Sequence, residues 1–328
     1  MNVSIFGVRR LSLAVVVCFI GFLPTLLVAQ QKSKKNKHRH PPIRINASPI
    51  VSHVPVRLSQ ARRLSFDKKG NLWVAHWGSG TLLKIDKSDR VTVVARNLNE
   101  PSGVAFDSYG NTYVTLHAGG VSKMGSVIRI SADGTESIFA EGLTGPTDLA
   151  FNSKGYLFVA CFHEDTIMKV GSMGEVTTFA AQIPTPASVA FDKKDNLYTV
   201  SSTEGTAYKI STEGNVKVIA RGLNVPSDVT FDRRGRLIIT NYDGTELSYI
   251  GQDGFSRTFA FVPKGTISVE FDRQGNVILL NWDENSLVKV LSILTIPCPH
   301  CKKPIPLKFH PRKQPKPISS GMGDESVI

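Results

Sequence analysis

Asp148 and Asp228 stand in matched contexts, Pro146-Thr147-Asp148 and Pro226-Ser227-Asp228, each three residues before a phenylalanine. Glu270 directly precedes another phenylalanine, Phe271, where the corresponding positions elsewhere are Ser65, Ala105, Ala150, Ala190 and Thr230. Two or three carboxylates around one axis would suit a hard cation such as calcium. The same aspartates would equally serve to cap turns through backbone amides. His76, His117 and His163 form a second set. Converging imidazoles would make an open site for a softer ion such as zinc, with water completing the shell; the other reading is three separate surface histidines. Trp77, Tyr242 and Trp282, with Asp243 and Asp283 next to two of them, combine contact area with polar edges, as the mouth of a ligand site requires.

These residues are positioned by a repeat. Phe66, Phe106, Phe151, Phe191, Phe231 and Phe271 are separated by 40, 45, 40, 40 and 40 residues. Each is followed by Asp or Asn and, three residues later, by Gly, with Asp195 in its place in the fourth copy. Runs such as Gly103-Val104-Ala105-Phe106 alternate as half-buried strands do. The Asp-x-x-Gly turn that follows asks for a left-handed glycine, and the next run, such as Leu157-Phe158-Val159, is the hairpin partner. A third strand ends in Lys/Arg-Ile/Val in most copies, and a fourth, such as Thr92-Val93-Val94-Ala95, leads into the next copy. Short antiparallel strands in six copies, without helical periodicity, predict an all-β chain folded as a six-bladed β-propeller of four-stranded blades. The sixth copy lacks its fourth strand, and Ile50-Val51-Ser52-His53-Val54 has the position and composition to supply it, closing the ring with an N-terminal strand.

The repeat also separates two faces. If each first strand runs down the channel, the Asp-x-x-Gly turns lie at the bottom. On top lie the ring positions Arg63, Gly103, Asp148, Ser188, Asp228 and Ser268, together with the loops after the second strands. The bottom turns repeat, whereas the top loops differ and carry the aromatics, the histidines and most of the acids; binding and catalysis belong on such variable loops over a rigid frame. The second copy is longer by an insertion over residues 118–126 in a top loop, which reads as a glycine-bearing flap or as a neutral surface insertion.

The ends have a different composition. Arg9-Arg10 precedes an apolar stretch from Leu11 to Ala29, which reads as a secretory signal over residues 1–29, or as an uncleaved anchor holding the protein to a membrane. Export to a secreted, periplasmic or cell-surface location is the expectation. The formal net charge of +12 lies in the ends: residues 1–45 hold eight Lys or Arg and no acid, and residues 298–328 hold six against Asp324 and Glu325. A basic linker over 30–45 and a basic tail over 298–328 would be solvated, or would adhere to an anionic surface. Residues 46–297 are neutral, so no basic stripe points to specific nucleic-acid binding. Cys298-Pro299-His300-Cys301 is half of a tetrahedral metal site, or a local redox disulfide. Cys161 reads as a small buried hydrophobe.

Residues 142–151, Gly-Leu-Thr-Gly-Pro-Thr-Asp-Leu-Ala-Phe, and 107–114, Asp-Ser-Tyr-Gly-Asn-Thr-Tyr-Val, resemble the NHL-type repeats of six-bladed propellers, a superfamily that includes gluconolactonase and senescence-marker relatives and the streptogramin lyases. The resemblance spans roughly residues 50–291. It implies the fold, and a reaction only loosely. Gluconolactonase-like members hold a divalent ion with a Glu, an Asn and an Asp at inner-strand starts; Asp148 and Asp228 match the Asp position, and no Asn occupies the ring. The expectation is therefore an exported propeller binding a small molecule, glycan or protein on its top face. The alternative is a metal-dependent lactone hydrolase or lyase using the same face with one divalent cation, calcium or zinc.

Overall fold

The computed structural model describes residues 58–290 except 121, 252 and 253, and the backbone of Ile43–Arg44, Val51–His53 and Leu307–Lys308. The leader, most of the linker and tail, and the Cys298–Cys301 pair lie outside the described residues.

Six antiparallel sheets stand around a channel. Their inner strands are Ala61–Phe66, Pro101–Phe106, Pro146–Phe151, Pro186–Phe191, Pro226–Phe231 and Thr266–Phe271, each beginning on the top face and ending in the repeated phenylalanine. Each inner strand lies beside the next, and the sixth lies beside the first, so the array is a closed propeller rather than an open solenoid. In the sixth blade, Val51–His53 pairs antiparallel with Ser286–Val290 in the register Val51↔Val290, Ser52↔Lys289 and His53↔Val288. The fifth blade is extended at its outer edge by Leu307–Lys308 and then Ile43–Arg44, both in parallel pairing.

The core is divided among the seams between blades. One apolar cluster joins Leu64, Leu72 and Val74 of blade one to Ile278, Leu280 and Leu287 of blade six; another joins Val114 and Ile128 of blade two to Leu82 of blade one. Cys161 is fully buried in the seam between blades two and three, where loss of water and the nearby Glu164 push its thiol up to about 12.

The bottom turns hold by local chemistry. Asp67 accepts the backbone amides of Lys69 and Asn71 at 2.9 and 2.8 Å, the Asn71 amide at 2.7 Å and the Trp73 indole N–H at 3.0 Å. Asp107 and Asp192 repeat this with Asn111 and Tyr113, and with Asn196 and Tyr198. Gly70 sits at φ +82° in this turn, and Asp195, its counterpart in the fourth copy, at +60°, a conformation that Asp tolerates better than most residues.

A second regularity sits at the other end of every inner strand. The ladder between first and second strands shifts register just after the strand start in all six blades. A bulge inserts one residue and re-aims its side chain. The residues at or beside it include Arg62, Thr147, Ala187, Ser227 and Ile267, which all contribute to the wall of the upper channel.

Candidate functional site

The ring positions form one connected layer across the channel. Asp148 Oδ2 accepts the Val189 amide at 3.0 Å, and Asp228 Oδ2 accepts the Val269 amide at 3.1 Å and the Ser268 hydroxyl at 2.8 Å. Ser188 Oγ accepts the Val229 amide at 3.3 Å, and Ser268 Oγ accepts the Leu64 amide at 3.3 Å. Each of these side chains thus ties its blade to the next through a backbone N–H.

At the centre of the layer lies Arg63. Its Nη1 is 2.8 Å from Asp228 Oδ1, its Nε is 3.6 Å from Asp148 Oδ1, and its N–H groups reach the carbonyls of Ala187 at 2.7 Å and Ser227 at 3.3 Å. Arg63, Asp148 and Asp228 are 7%, 5% and 4% exposed, a depth at which an unpaired charge is costly. Burial alone would lower the Arg63 pKa; the two aspartates overcome it and raise it. Burial, opposed by Arg63 and reinforced by Asp228, holds the Asp148 carboxyl above its ordinary range. Ser188 Oγ lies 2.8 Å from Asp148 Oδ2 and 2.7 Å from Asp228 Oδ1 with one proton to donate, so a protonated Asp148 would satisfy the second contact. Gly103 takes the ring position of blade two because a Cβ there would come within 2.8 Å of Asp148 Cα.

This layer bears directly on a metal at the axis. The carboxylate oxygens of Asp148 and Asp228 face the chain's own amides, hydroxyls and guanidinium, and a divalent cation would have to displace Arg63 to reach them. As arranged, the set does not fit one. Glu270 lies below, partly buried in a cavity of about 360 Å³ that is also lined by Ser65, Ala105, Ala150, Ala190 and Thr230, with Arg63 at its upper boundary. Loss of water, with Asp228 adding to it, pushes its carboxyl up to about 8.

The histidines separate into one and two. His76 is turned into its own blade, where its Nε2 accepts the Ser59 amide at 2.5 Å and its Nδ1 lies 2.7 Å from Ser79 Oγ. His117 and His163 stand together, with ring centroids 5.4 Å apart, and the 118–126 insertion folds over them: a Cβ on Gly120 would collide with the His163 ring. His117 is 6% exposed with no hydrogen-bond partner for Nδ1, and burial, Arg62 and His163 together lower it to about 4. Among the described residues, no three or more His, Cys, Asp or Glu side chains gather as a metal-binding group.

Above the Arg63 layer the channel opens into a cavity of about 340 Å³, lined by Arg62, Arg63, Thr147, Phe162, Ala187, Ser202, Val225, Ser227, Tyr242, Ile267 and Trp282. Tyr242 and Trp282 are thus in its wall; Trp77 stands beside it, packed against His117 with 4.7 Å between centroids and the rings tilted by 50°. Asp283 accepts the Tyr242 hydroxyl at 2.9 Å, and Asp243 pairs with Lys264 at 3.3 Å. Sequence reasoning placed Arg63 on the ring but passed over Arg62. Its signal was present: two consecutive arginines enter an inner strand at positions where the other copies carry small, polar or aliphatic residues.

No family model matches the chain, and no curated protein matches it. Solved structures do share the fold. A streptogramin B lyase superposes with a TM-score of 0.57 at 12% identity, covering 73% of this chain and 96% of that one. A gluconolactonase of Xanthomonas campestris superposes with 0.61 at 16%, covering 74% and 88%. A virginiamycin B lyase of Staphylococcus aureus superposes with 0.58 at 12%, covering 72% and 83%. At these identities the likeness is one of fold.

Proposed function

We propose that this protein is an exported binding propeller that holds a small molecule, or an exposed group of a glycan or partner protein, in the cavity at the top of its channel. What carries the reading is the construction of that cavity. It has about 340 Å³ of space, aromatic walls from Phe162, Tyr242 and Trp282, and a floor closed by the Arg63 layer. Binding there needs no metal. It should weaken on substitution of Trp282 and be indifferent to chelator, which a ligand screen by thermal shift on the native protein and Trp282→Ala would measure. Binding that survives Trp282→Ala and Tyr242→Ala unchanged would refute the assignment to this cavity.

The buried, unpartnered Nδ1 of His117, next to His163 under the insertion, favours a second reading as a lactone hydrolase or lyase. The His117 Nδ1 is open to hydrogen-bond a substrate hydroxyl or an attacking water. Turnover of a lactone or cyclic ester that disappears in His117→Ala, while cavity binding persists, would establish it; dependence of that turnover on a divalent ion would bring the cation back. Export rests on the apolar stretch after Arg9-Arg10, and attachment to an anionic surface on the basic ends. Cell fractionation, with and without residues 30–45, tests both.

A further inference from the structure

Arg62 lies at the rim of the upper cavity with no carboxylate in ion-pair contact; the charge of Glu100 reaches it only through space. Its Cζ is 4.7 Å from the Trp77 ring centroid and 5.4 Å from that of Trp282, so two indoles hold it by cation–π contact. A guanidinium held on ring faces keeps its N–H donors in its own plane, directed past the rings, in the fork that matches a carboxylate. The acids of the mouth are engaged elsewhere. Asp283 accepts from the Tyr242 hydroxyl, Asp243 pairs with Lys264, and Glu100 accepts the Gly119 amide. Arg63, the other arginine of the cavity, is neutralised by Asp148 and Asp228. Among the described residues, the mouth therefore presents one partly buried cation with no ion pair of its own, beside an aromatic wall. Loss of water and the Arg63 charge lower the Arg62 guanidinium to about 10, with the Glu100 carboxylate opposing them, so it remains protonated at neutral pH.

We propose that the upper cavity selects ligands bearing a carboxylate on an apolar or aromatic body, with the carboxylate on the Arg62 guanidinium and the body against Phe162, Tyr242 and Trp282. This rests on the binding reading above and narrows it to a chemical class. Arg62 is delivered to this place by the bulge at the start of its strand, which lets Arg62 and Arg63 both face the channel, one into the cavity and one into the layer beneath. The two arginines thus divide the work: Arg63 closes the floor as a structural charge, and Arg62 remains the recognition charge.

The test uses the chain's three tryptophans, whose indole N–H signals can be resolved by NMR. The full chain is titrated with phenylacetate and, separately, with its uncharged match phenylacetamide. Phenylacetate is expected to shift the Trp77 and Trp282 signals saturably and to leave Trp73, which is bonded to Asp67 at the bottom turn, unmoved. Phenylacetamide should bind about tenfold or more weakly, the margin of one charge-assisted pair. Arg62→Gln should erase the difference, with unchanged dispersion elsewhere in the spectrum showing that the fold is intact. Equal binding of acid and amide, with both shifting Trp282, would overturn the carboxylate proposal and leave the cavity reading standing. If neither compound moves Trp77 or Trp282, both are overturned.

Discussion

Arg63 Nη1 lies 2.8 Å from Asp228 Oδ1 although the two residues belong to blades one and five, and this contact closes the channel at the height where its acids converge. Asp148, on blade three, shares the same guanidinium. The layer divides the axis into an upper, aromatic cavity and a lower one that holds Glu270.

Removing the cation should be costly. Arg63→Met would leave Asp148 and Asp228 buried without a counter-charge, a loss of about 3–5 kcal/mol in denaturant unfolding at pH 7. Arg63 opposes the upward shift of the Asp148 carboxyl, so without it Asp148 rises further above its unfolded value and the variant's deficit should shrink as pH falls toward 4. A deficit independent of pH would mean that packing, not charge, is what Arg63 supplies.

Glu270 gives a second pH signature. With a folded pKa near 8 against about 4.3 unfolded, it binds more protons folded than unfolded between those values. Its contribution therefore falls as pH rises from about 4 to about 8 and is level above that. Glu270→Gln should match the native protein near pH 4 and exceed it by roughly 1–3 kcal/mol at pH 8.5. A carboxyl titration midpoint below 6 by NMR would contradict the assignment.

Gly103 should not tolerate a side chain. Its φ is not in the left-handed region, so the constraint is space alone: a Cβ would meet Asp148 Cα and Leu149 Cδ2 at 2.8 Å and Thr115 Oγ1 at 2.9 Å. Gly103→Ala is expected to cost about 1–3 kcal/mol by overpacking. An unchanged unfolding midpoint would show that the inner strands have more room than this.

The pairing of Val51–His53 with Ser286–Val290 leads to a truncation test of ring closure. Deleting residues 1–42 should leave the thermal midpoint nearly unchanged, whereas deleting 1–57 should lower it and speed proteolysis of the sixth blade. Equal midpoints for the two truncations would argue that the ring closes without the N-terminal strand.

The six-bladed architecture, the bottom turns and the face that carries the variable loops could be read from the chain alone. Each depends on residues close in sequence, as when Asp67 binds the amides of Lys69 and Asn71, and repetition shows the same sentence six times. Tertiary structure alone decided what the chemical residues meet. Asp148 and Asp228 could be read either as cation ligands or as caps on backbone amides; the folded ring places them on the Val189 and Val269 amides and brings Arg63 between them from more than 80 residues away. Whether His76, His117 and His163 converge or stand apart could not be read from spacing; in the fold both ring nitrogens of His76 are taken by Ser59 and Ser79, while His117 and His163 stand together. Arg62 became a recognition residue only when a bulge turned it toward two indoles, one of them 220 residues distant. Local patterns encode the blades because strands and turns are short-range structures. The channel is assembled from residues of separate blades, and its contacts exist only once the ring is closed.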